Sequence, residues 1–418
     1  MNRFSNERHG AGIATAGLSE RAPRGLCELE RGGLPALARG GLCERGISER
    51  KRGGRRVASF ANPAARLNQR EPADLFEAHR LSTRTTRPAE HAPNDFSVHH
   101  LAAHMSPATS ITDVHQHLWT PELVAALRAR SKPPRLRGWT LELEGEPDYE
   151  LNPREHDPQL RAAEALADGL DLALVSLSSP LGIELLEPVE SEELLAAYHE
   201  GALALPRPFR AWAAASVNNV DPAAVSELLE RGFVGLQLPA TALQDDRSYA
   251  RVRPLLELLE ERSAPLFIHP GPAGLAHGDS PTWWPAIVDY PRQMHSAWFA
   301  FKAFGRPRHP RLRVCFAMLA GLAPLHGERF AARTGERSVV DDEVFLDVSS
   351  YGTRAIDATV RVLGIDVLVN GSDRPYTEPV SPDLGSAALF ALRAANPLRL
   401  LDLKEVSDGL AQPAGTQS

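Results

Sequence analysis

The segment 113–117, Asp-Val-His-Gln-His, places two histidines two residues apart at the end of a short apolar stretch. Alternate side chains of a β-strand point to the same face, so His115 and His117 are expected to lie side by side. Two neutral imidazoles that converge on one point suit zinc, iron, nickel or manganese. The same spacing also fits a strand end whose two histidines are purely structural, and the motif by itself leaves both interpretations open.

Two further apolar stretches end in residues that can bind a metal. Residues 265–272 read Pro-Leu-Phe-Ile-His-Pro-Gly-Pro and include His269, and residues 366–375 end in Gly-Ser-Asp-Arg-Pro with Asp373. A catalytic metal site typically has about three protein ligands and keeps one position for water or substrate. We therefore expect three histidine ligands, His115, His117 and His269. Asp373 is expected to be a carboxylate ligand, a general base, or both in turn.

The order and context of these motifs resemble the amidohydrolase superfamily, in particular its amidohydrolase-related branch, which also contains aminocarboxymuconate-semialdehyde decarboxylase-like enzymes. The resemblance covers roughly residues 111–403. It implies a (β/α)8 TIM barrel whose active site lies at the carboxyl ends of the strands. It also implies that Asp373 is the aspartate of the eighth strand, and that Asp113 is the residue that precedes the histidine pair.

Alternating strand and helix patterns support this α/β fold class. Between the apolar stretches lie amphipathic segments, among them 249–262 and 221–231, which opens with Asp-Pro and predicts Asp221 as a helix cap followed by a proline. Two longer segments, 131–170 and 270–305, predict insertions after the first and the fifth strand of the barrel. Eight mostly continuous apolar stretches predict parallel strands buried on both faces: 111–115, 171–177, 210–217, 232–238, 265–269, 312–318, 344–349 and 366–370.

The second insertion holds several aromatic residues, including Trp283 and Trp284. Long insertions after barrel strands commonly form lids or pocket walls, so both tryptophans are candidates for substrate binding. They could equally pack the insertion onto the rim. Two arginines, Arg374 and Arg329, could each clamp a substrate carboxylate through two hydrogen bonds, or form structural ion pairs.

Two positions depart from the family pattern. Binuclear members carry a bridging lysine near the end of strand 4, where this chain has Gln237, so we expect one divalent metal ion, with zinc as the first candidate. Related proteins usually read His-x-Gly-Gly on strand 6, where this chain has Met318. A thioether cannot transfer protons, and Met318 is therefore predicted to line the substrate pocket. His326 and His295 are the candidates to take over the proton transfer.

The remaining segments predict no folded domain. Residues 1–106 have no sustained period of 2 or 3.6, which is typical of a disordered low-complexity extension. Residues 405–418 are expected to form a flexible tail, so residues 107–404 make up the barrel. No apolar stretch approaches the roughly 18 residues of a membrane helix, and no membrane association is expected. Three cysteines exclude a disulfide framework and favour a cytoplasmic location.

Residues 105–418 carry an excess of acidic residues, which argues against nucleic acid as the main partner. A small-molecule substrate is expected, and a homodimer is one alternative for the oligomeric state. We expect a mononuclear metal-dependent hydrolase that acts on a small amide, ester or lactone. Two alternatives stay open: a metal-dependent nonoxidative decarboxylase of an aromatic or unsaturated carboxylic acid, and a catalytically impaired barrel that binds a ligand or partner.

Overall fold

The computed structural model describes residues 110–274, 280–336 and 339–402. The predicted extension at 1–106 and the predicted tail at 405–418 lie outside these residues. Within the described ranges, no helix has both the length and the hydropathy that a membrane span needs.

The eight predicted apolar stretches all contain parallel strands. The structure divides the third stretch into two short strands and adds three strands between the first and second. The strands of the described residues are β1 Thr112–Gln116, β2 Arg135–Arg137, β3 Thr140–Glu142, β4 Tyr149–Glu150, β5 Leu172–Val175, β6 Phe209–Ala211, β7 Ala213–Ala214, β8 Leu236–Pro239, β9 Leu266–His269, β10 Val314–Phe316, β11 Val344–Asp347 and β12 Leu368–Val369.

The parallel strands pair with their neighbours along the chain. One sheet has the order β1-β5-β6, and the other has the order β12-β11-β10-β9-β8-β7. A single residue, Trp212, separates β6 from β7, and its backbone N–H donates to the Val175 carbonyl oxygen of β5 at 2.9 Å. The Val114 N–H of β1 donates to the carbonyl oxygen of Asn370, one residue beyond β12, also at 2.9 Å. The carboxyl ends of these strands therefore share one face of the fold.

Helices connect the parallel strands. Their capping follows the sequence: the Asp221 side chain accepts from the N–H groups of Ala223 and Ala224 at the start of α4, where a proline follows the cap. Within the ranges that the structure describes, the α-helices are α1 Pro121–Ala129, α2 Pro158–Ala167, α3 Pro188–Leu203, α4 Pro222–Glu230, α5 Asp246–Glu261, α6 Tyr290–Ala300, α7 Gly327–Thr334, α8 Thr353–Leu363, α9 Ser386–Phe390 and α10 Asn396–Leu401.

The core lies around the parallel strands. The side chains of β5, β8, β9, β10 and β11 are buried throughout, as expected for strands that are covered on both faces. Trp212 and Phe267 stack there with ring centroids 5.2 Å apart. Trp212 also donates from its indole Nε1 to the Val114 carbonyl oxygen at 2.9 Å, which ties its ring to β1.

The two predicted insertions differ in structure. Residues 131–170 contain the antiparallel sheet β2-β3-β4, a short 3-10 helix and α2. Residues 270–305 begin with a loop and continue into a long helical segment that consists of α6 and two flanking π-helical stretches. Residues 270–305 therefore consist largely of the helical segment that connects β9 to β10.

Candidate metal centre

Strand β1 places its two histidines on one face. His115 and His117 are both buried, their rings are 4.9 Å apart, and their Nε2 atoms lie 3.0 Å from one another. This is the geometry that the alternation of strand side chains predicts.

His269 and Asp373 join this pair from two other strand ends. The ring centroid of His269, the last residue of β9, lies 5.0 Å from those of His115 and His117. Asp373 follows β12, and its Oδ1 is 3.2 Å from His117 Nε2 and 3.6 Å from His115 Nε2. One donor atom from each of the four residues lies within 4.8 Å of all the others. We call these four residues the His/Asp cluster.

Each histidine of the cluster has its Nδ1 atom occupied. His115 Nδ1 lies 2.8 Å from Asp347 Oδ2, His117 Nδ1 lies 3.0 Å from the Ser176 carbonyl oxygen, and His269 Nδ1 lies 2.9 Å from the Pro270 carbonyl oxygen. A hydrogen bond donated by Nδ1 leaves Nε2 with a free lone pair. Three imidazole lone pairs and one carboxylate oxygen therefore converge, and this donor set fits a single divalent ion.

Burial favours the neutral, metal-binding form at two of the three histidines. It lowers the pKa of His117, and it lowers the pKa of His269 well below the ordinary value, with His115 and His117 acting in the same direction on His269. Burial also works to lower the pKa of His115, but the Asp347 carboxylate and its hydrogen bond outweigh it, so that this pKa is raised. The carboxylate partner thus sets His115 apart from the other two histidines.

Asp347, the last residue of β11, is a site residue that the sequence analysis missed. Its carboxylate is fully buried and accepts from the Met318 N–H at 3.0 Å, the Ser349 N–H at 3.0 Å and the Ser349 hydroxyl at 2.5 Å, besides its contact with His115. The attraction and hydrogen bond of His115 outweigh burial and lower the pKa of Asp347. Its position as the last polar residue of a buried strand was a signal available in the sequence.

Asp113 holds the backbone around the cluster. Its carboxylate accepts from the N–H groups of His115 at 3.1 Å and Ser372 at 3.0 Å, and from Gln116 Nε2 at 2.8 Å. It therefore ties β1 to the segment that carries Asp373. Gly371 in this segment approaches closely: a Cβ there would lie 2.8 Å from Asp347 and 3.0 Å from His115.

The backbone of Met318 contacts Asp347, which in turn contacts His115 of the cluster. Its N–H donates to Asp347 Oδ1, and 9% of the residue is exposed. The segment 318–322 is left-handed throughout, with φ between 47° and 62°, although only Gly321 is a glycine. This conformation is costly for residues with a side chain.

Gln237, at the predicted position of the bridging lysine, lies outside the His/Asp cluster. Its Nε2 donates to the Leu177 carbonyl oxygen and to the Ser179 hydroxyl, each at 2.7 Å. The amide thus fastens β8 to the segment that follows β5.

The two histidines predicted to transfer protons lie against one another. The rings of His295 on α6 and His326, just before α7, are 5.0 Å apart, and His326 is exposed. In the part of the chain that the structure describes, the rings that pair with His295 are those of Phe299 and His326, and no ring pair joins either histidine to the His/Asp cluster. The proton-transfer role therefore stays a prediction without a contact to support it.

The predicted substrate-binding residues other than the buried Met318 lie at or near the surface. Trp283 is 54% exposed and stacks near Trp284 with ring centroids 5.9 Å apart. The Arg374 guanidinium pairs with Asp168 at 2.6 Å and lies 3.6 Å from Glu378, which favours the structural alternative. Arg329 is an exposed residue of α7.

Tyr376 is a second residue that the sequence analysis missed. Its ring centroid lies 5.3 Å from that of His117, its hydroxyl is 3.4 Å from the Ser178 hydroxyl, and 38% of the residue is exposed. It therefore borders the cluster at His117. No strand pattern marks this position, because Tyr376 belongs to a loop.

Comparisons with known proteins show similarity at the level of structure. A scan against protein-family models and a search of curated proteins each gave no match. Among the similar solved structures is IDCase from Metarhizium anisopliae in apo form, with a TM-score of 0.60 and 17% identity, covering 71% of this chain and 98% of that chain. An amidohydrolase II has a TM-score of 0.53 and 19% identity, covering 70% of this chain and 100% of that chain. The 5-carboxyvanillate decarboxylase from Novosphingobium aromaticivorans, in complex with manganese and 4-hydroxy-3-methoxy-5-nitrobenzoic acid, has a TM-score of 0.53 and 17% identity, covering 71% of this chain and 97% of that chain.

The chain covers nearly the full length of each of these structures. Two of them carry the names that the three strand-end motifs resemble, amidohydrolase and decarboxylase. This chain therefore shares the fold of these proteins.

Proposed function

We propose that this protein is a metal-dependent nonoxidative decarboxylase of an aromatic or unsaturated carboxylic acid. The observation that carries the proposal is the convergence of three imidazole Nε2 atoms and the Asp373 carboxylate at the carboxyl ends of the strands. The similar structures include a decarboxylase with bound manganese, which supports the decarboxylase alternative better than the hydrolase that was our first expectation from the sequence. We also propose that the eight strands close into a (β/α)8 barrel, on the basis of the Val114–Asn370 hydrogen bond.

The His/Asp cluster would hold one divalent metal ion. Imidazole and carboxylate ligands suit both manganese and zinc, so the ligand set accepts either. Manganese is the first ion to test, because it occupies the similar decarboxylase. A bound ion would polarise and position the carboxylate or phenolate oxygens of the substrate.

In this mechanism, Asp373 transfers the proton. The bond between the ring carbon and the carboxylate breaks, carbon dioxide leaves, and the electron pair stays on the ring carbon. A proton then passes from solvent through the Asp373 carboxyl to that carbon, where it takes up the electron pair. Asp347 keeps His115 in the orientation that directs Nε2 towards the cluster. Met318 contributes its backbone N–H to Asp347 and no proton.

A small-molecule substrate and the absence of nucleic acid as a partner are part of the same proposal, because the acidic residues of 105–418 disfavour nucleic acid. A cytoplasmic location agrees with the free, buried thiol of Cys315. The proposal leaves the homodimer as an expectation to be checked by light scattering.

The deciding experiment compares two substrate panels on protein loaded with Mn²⁺ or Zn²⁺. We expect carbon dioxide release from at least one aromatic or unsaturated carboxylic acid, and loss of this activity after chelation and in the Asp373→Asn variant. Hydrolysis of an amide, ester or lactone without carbon dioxide release would restore the hydrolase. Stoichiometric metal with no activity on either panel would support the impaired barrel.

A further inference from the structure

Ser178 links His117 of the His/Asp cluster to two aromatic side chains. Its hydroxyl oxygen lies 3.2 Å from His117 Nδ1 and 3.4 Å from the Tyr376 hydroxyl, and it accepts from the Trp119 indole Nε1 at 3.0 Å. Ser178, Trp119 and His117 are buried, with at most 6% of each residue exposed. Buried polar groups need hydrogen-bond partners, so the direction of each of these hydrogen bonds matters.

The loop that follows β12 holds Tyr376 beside His117. The Tyr376 N–H donates to the Asp373 carbonyl oxygen at 2.9 Å, and the His117 N–H donates to the Arg374 carbonyl oxygen at 2.6 Å. The second of these bonds joins the loop to the residue that follows β1. The Tyr376 ring packs against the His117 ring, with centroids 5.3 Å apart. The Tyr376 hydroxyl therefore has a defined position relative to the His117 imidazole.

The chemistry of the three neighbours of Ser178 limits which of them can accept its hydroxyl hydrogen. An indole N–H only donates, so Trp119 cannot accept it. His117 Nδ1 can accept it only in the tautomer that carries its hydrogen on Nε2, and that tautomer has no Nε2 lone pair for a metal ion. The Tyr376 oxygen can accept it in either case. Of these three contacts, only Tyr376 can therefore accept the hydrogen while His117 is able to bind a metal.

The two tautomers of His117 compete, because each of its ring nitrogens has an acceptor nearby. The Ser176 carbonyl oxygen lies 3.0 Å from Nδ1 and favours a hydrogen there, whereas Asp373 Oδ1 lies 3.2 Å from Nε2 and favours a hydrogen on that atom. A Ser178 hydroxyl that turned its hydrogen towards Nδ1 would support the tautomer that cannot bind a metal. The Tyr376 oxygen offers this hydrogen another acceptor. Ser178 then presents a lone pair to the Nδ1–H group, and Nε2 stays free.

We infer that Tyr376 is a positioning residue of the metal centre. By accepting the hydrogen of the Ser178 hydroxyl, its phenol oxygen keeps His117 in the tautomer whose Nε2 lone pair faces the His/Asp cluster. The inference rests on the proposed function, since it assumes that the cluster binds a metal ion. The effect of losing the phenol oxygen should depend on Ser178, because no other hydroxyl hydrogen competes for His117 Nδ1 among the contacts that the structure describes.

The test measures the dissociation constant for Zn²⁺ by competition with a chromophoric chelator on the full-length protein. Tyr376→Phe removes the phenol oxygen and keeps the ring, and it should weaken zinc binding about three- to tenfold, less than the usual effect of a lost ligand partner because Ser176 remains. Ser178→Ala should bind zinc within about twofold of the wild type, and so should the double variant Tyr376→Phe/Ser178→Ala. The matched control is Tyr249→Phe, which removes a phenol hydroxyl from a buried residue of α5.

Nitrogen NMR of the metal-free protein, with isotope-labelled histidine, measures the tautomer without reference to activity. A ring nitrogen that carries a hydrogen and one that does not differ widely in chemical shift, and the His117 signals are identified by their loss in His117→Ala. Tyr376→Phe should move these signals towards a hydrogen on Nε2, and the added Ser178→Ala substitution should move them back. A purely structural role of Tyr376 would lower the thermal stability without this reversal.

The inference is overturned if Tyr376→Phe binds zinc as the wild type does, or if the double variant stays as weak as Tyr376→Phe. It is also overturned if the His117 signals do not move, or if Tyr249→Phe weakens zinc binding as much as Tyr376→Phe does. Each of these results leaves the proposed function standing, because the wild type still binds the metal. A wild type that binds no metal contradicts the proposed function as well.

Discussion

His115 Nδ1 and Asp347 Oδ2 lie 2.8 Å apart, and neither side chain is exposed to solvent. The two residues are separated by 232 positions in the sequence. A carboxylate in this position fixes the imidazole tautomer, orients the ring and raises its basicity as a metal ligand. The pair therefore connects β11, which contributes no residue to the His/Asp cluster, to the proposed metal site.

We predict that Asp347→Asn weakens metal binding about 10- to 100-fold, the usual cost of removing a hydrogen-bonding partner from a ligand. Competition with a chromophoric chelator measures the affinity for Mn²⁺ or Zn²⁺ directly, without reference to activity. Asp342→Asn, at an exposed position of the preceding loop, is the matched control and should bind metal as the wild type does. Equal affinities for the two variants would show that Asp347 does not act on the metal.

His117→Ala should reduce the bound metal from about one ion per chain to a small fraction, because one of few ligands is lost. Met318→Ala should keep the metal content of the wild type, since a thioether is a soft ligand that is poorly matched to nitrogen and oxygen donors. Elemental analysis of both purified variants gives the two values. Full metal content in His117→Ala would refute the assignment of the cluster, and two ions per chain in the wild type would restore a binuclear site.

The left-handed backbone of residues 318–322 leads us to expect that a glycine in this segment stabilises the folded protein. Ala320 has φ of 51°, a conformation that costs an L-residue roughly 1–2 kcal/mol and costs glycine almost nothing. After allowing for the greater freedom of glycine in the unfolded chain, Ala320→Gly should raise the free energy of unfolding by about 0.5–1 kcal/mol.

Urea denaturation measures this change, and Ala317→Gly provides its control. Ala317 is equally buried but has φ of −64°, so glycine there should lower the free energy of unfolding. A loss of stability in both variants would mean that Ala320 is not strained in solution.

The buried carboxyl of Glu184 is expected to make the free energy of unfolding depend on pH. Burial raises its pKa to about 7, and hydrogen bonds from neighbours such as Ser179 only partly oppose this rise. Between the unfolded pKa of about 4.5 and the folded pKa, the unfolded chain ionises first, so stability falls as pH rises. The loss should approach about 3 kcal/mol and level off above pH 7.

Glu184→Gln should remove this part of the pH dependence, because the amide does not titrate. Urea titrations at pH 4.5, 6 and 8 provide the comparison, with Glu187→Gln at a neighbouring exposed position as the control. If wild type and Glu184→Gln lose the same free energy between pH 4.5 and pH 8, the carboxyl does not titrate in this range.

The predictions from the sequence that the structure confirms depend on local patterns. Eight apolar stretches contain parallel strands, and Asp221 caps α4, because burial on both faces and helix capping are decided by residues that are near in sequence. The convergence of His115, His117, His269 and Asp373 can also be predicted from short segments, since each residue lies at the end of an apolar strand. In a parallel sheet, the last residues of neighbouring strands meet at one edge.

The residues that the sequence did not reveal depend on contacts between distant segments. Asp347 was visible as a strand end, but only the pairing of strands brought it to His115. Tyr376 and Glu146 lie in loops, where no periodicity shows which way a side chain points. The Tyr290 hydroxyl donates to the Glu146 carboxylate at 3.0 Å across 144 positions of the sequence.

The sequence by itself determined the strands, the helix caps and the histidines and aspartate at the strand ends, because side-chain alternation and apolar periodicity act over a few residues. Only the tertiary structure decided how the ligands are oriented and that the Asp347 carboxylate supports His115. Those properties depend on hydrogen bonds and burial created by packing, which no short segment contains.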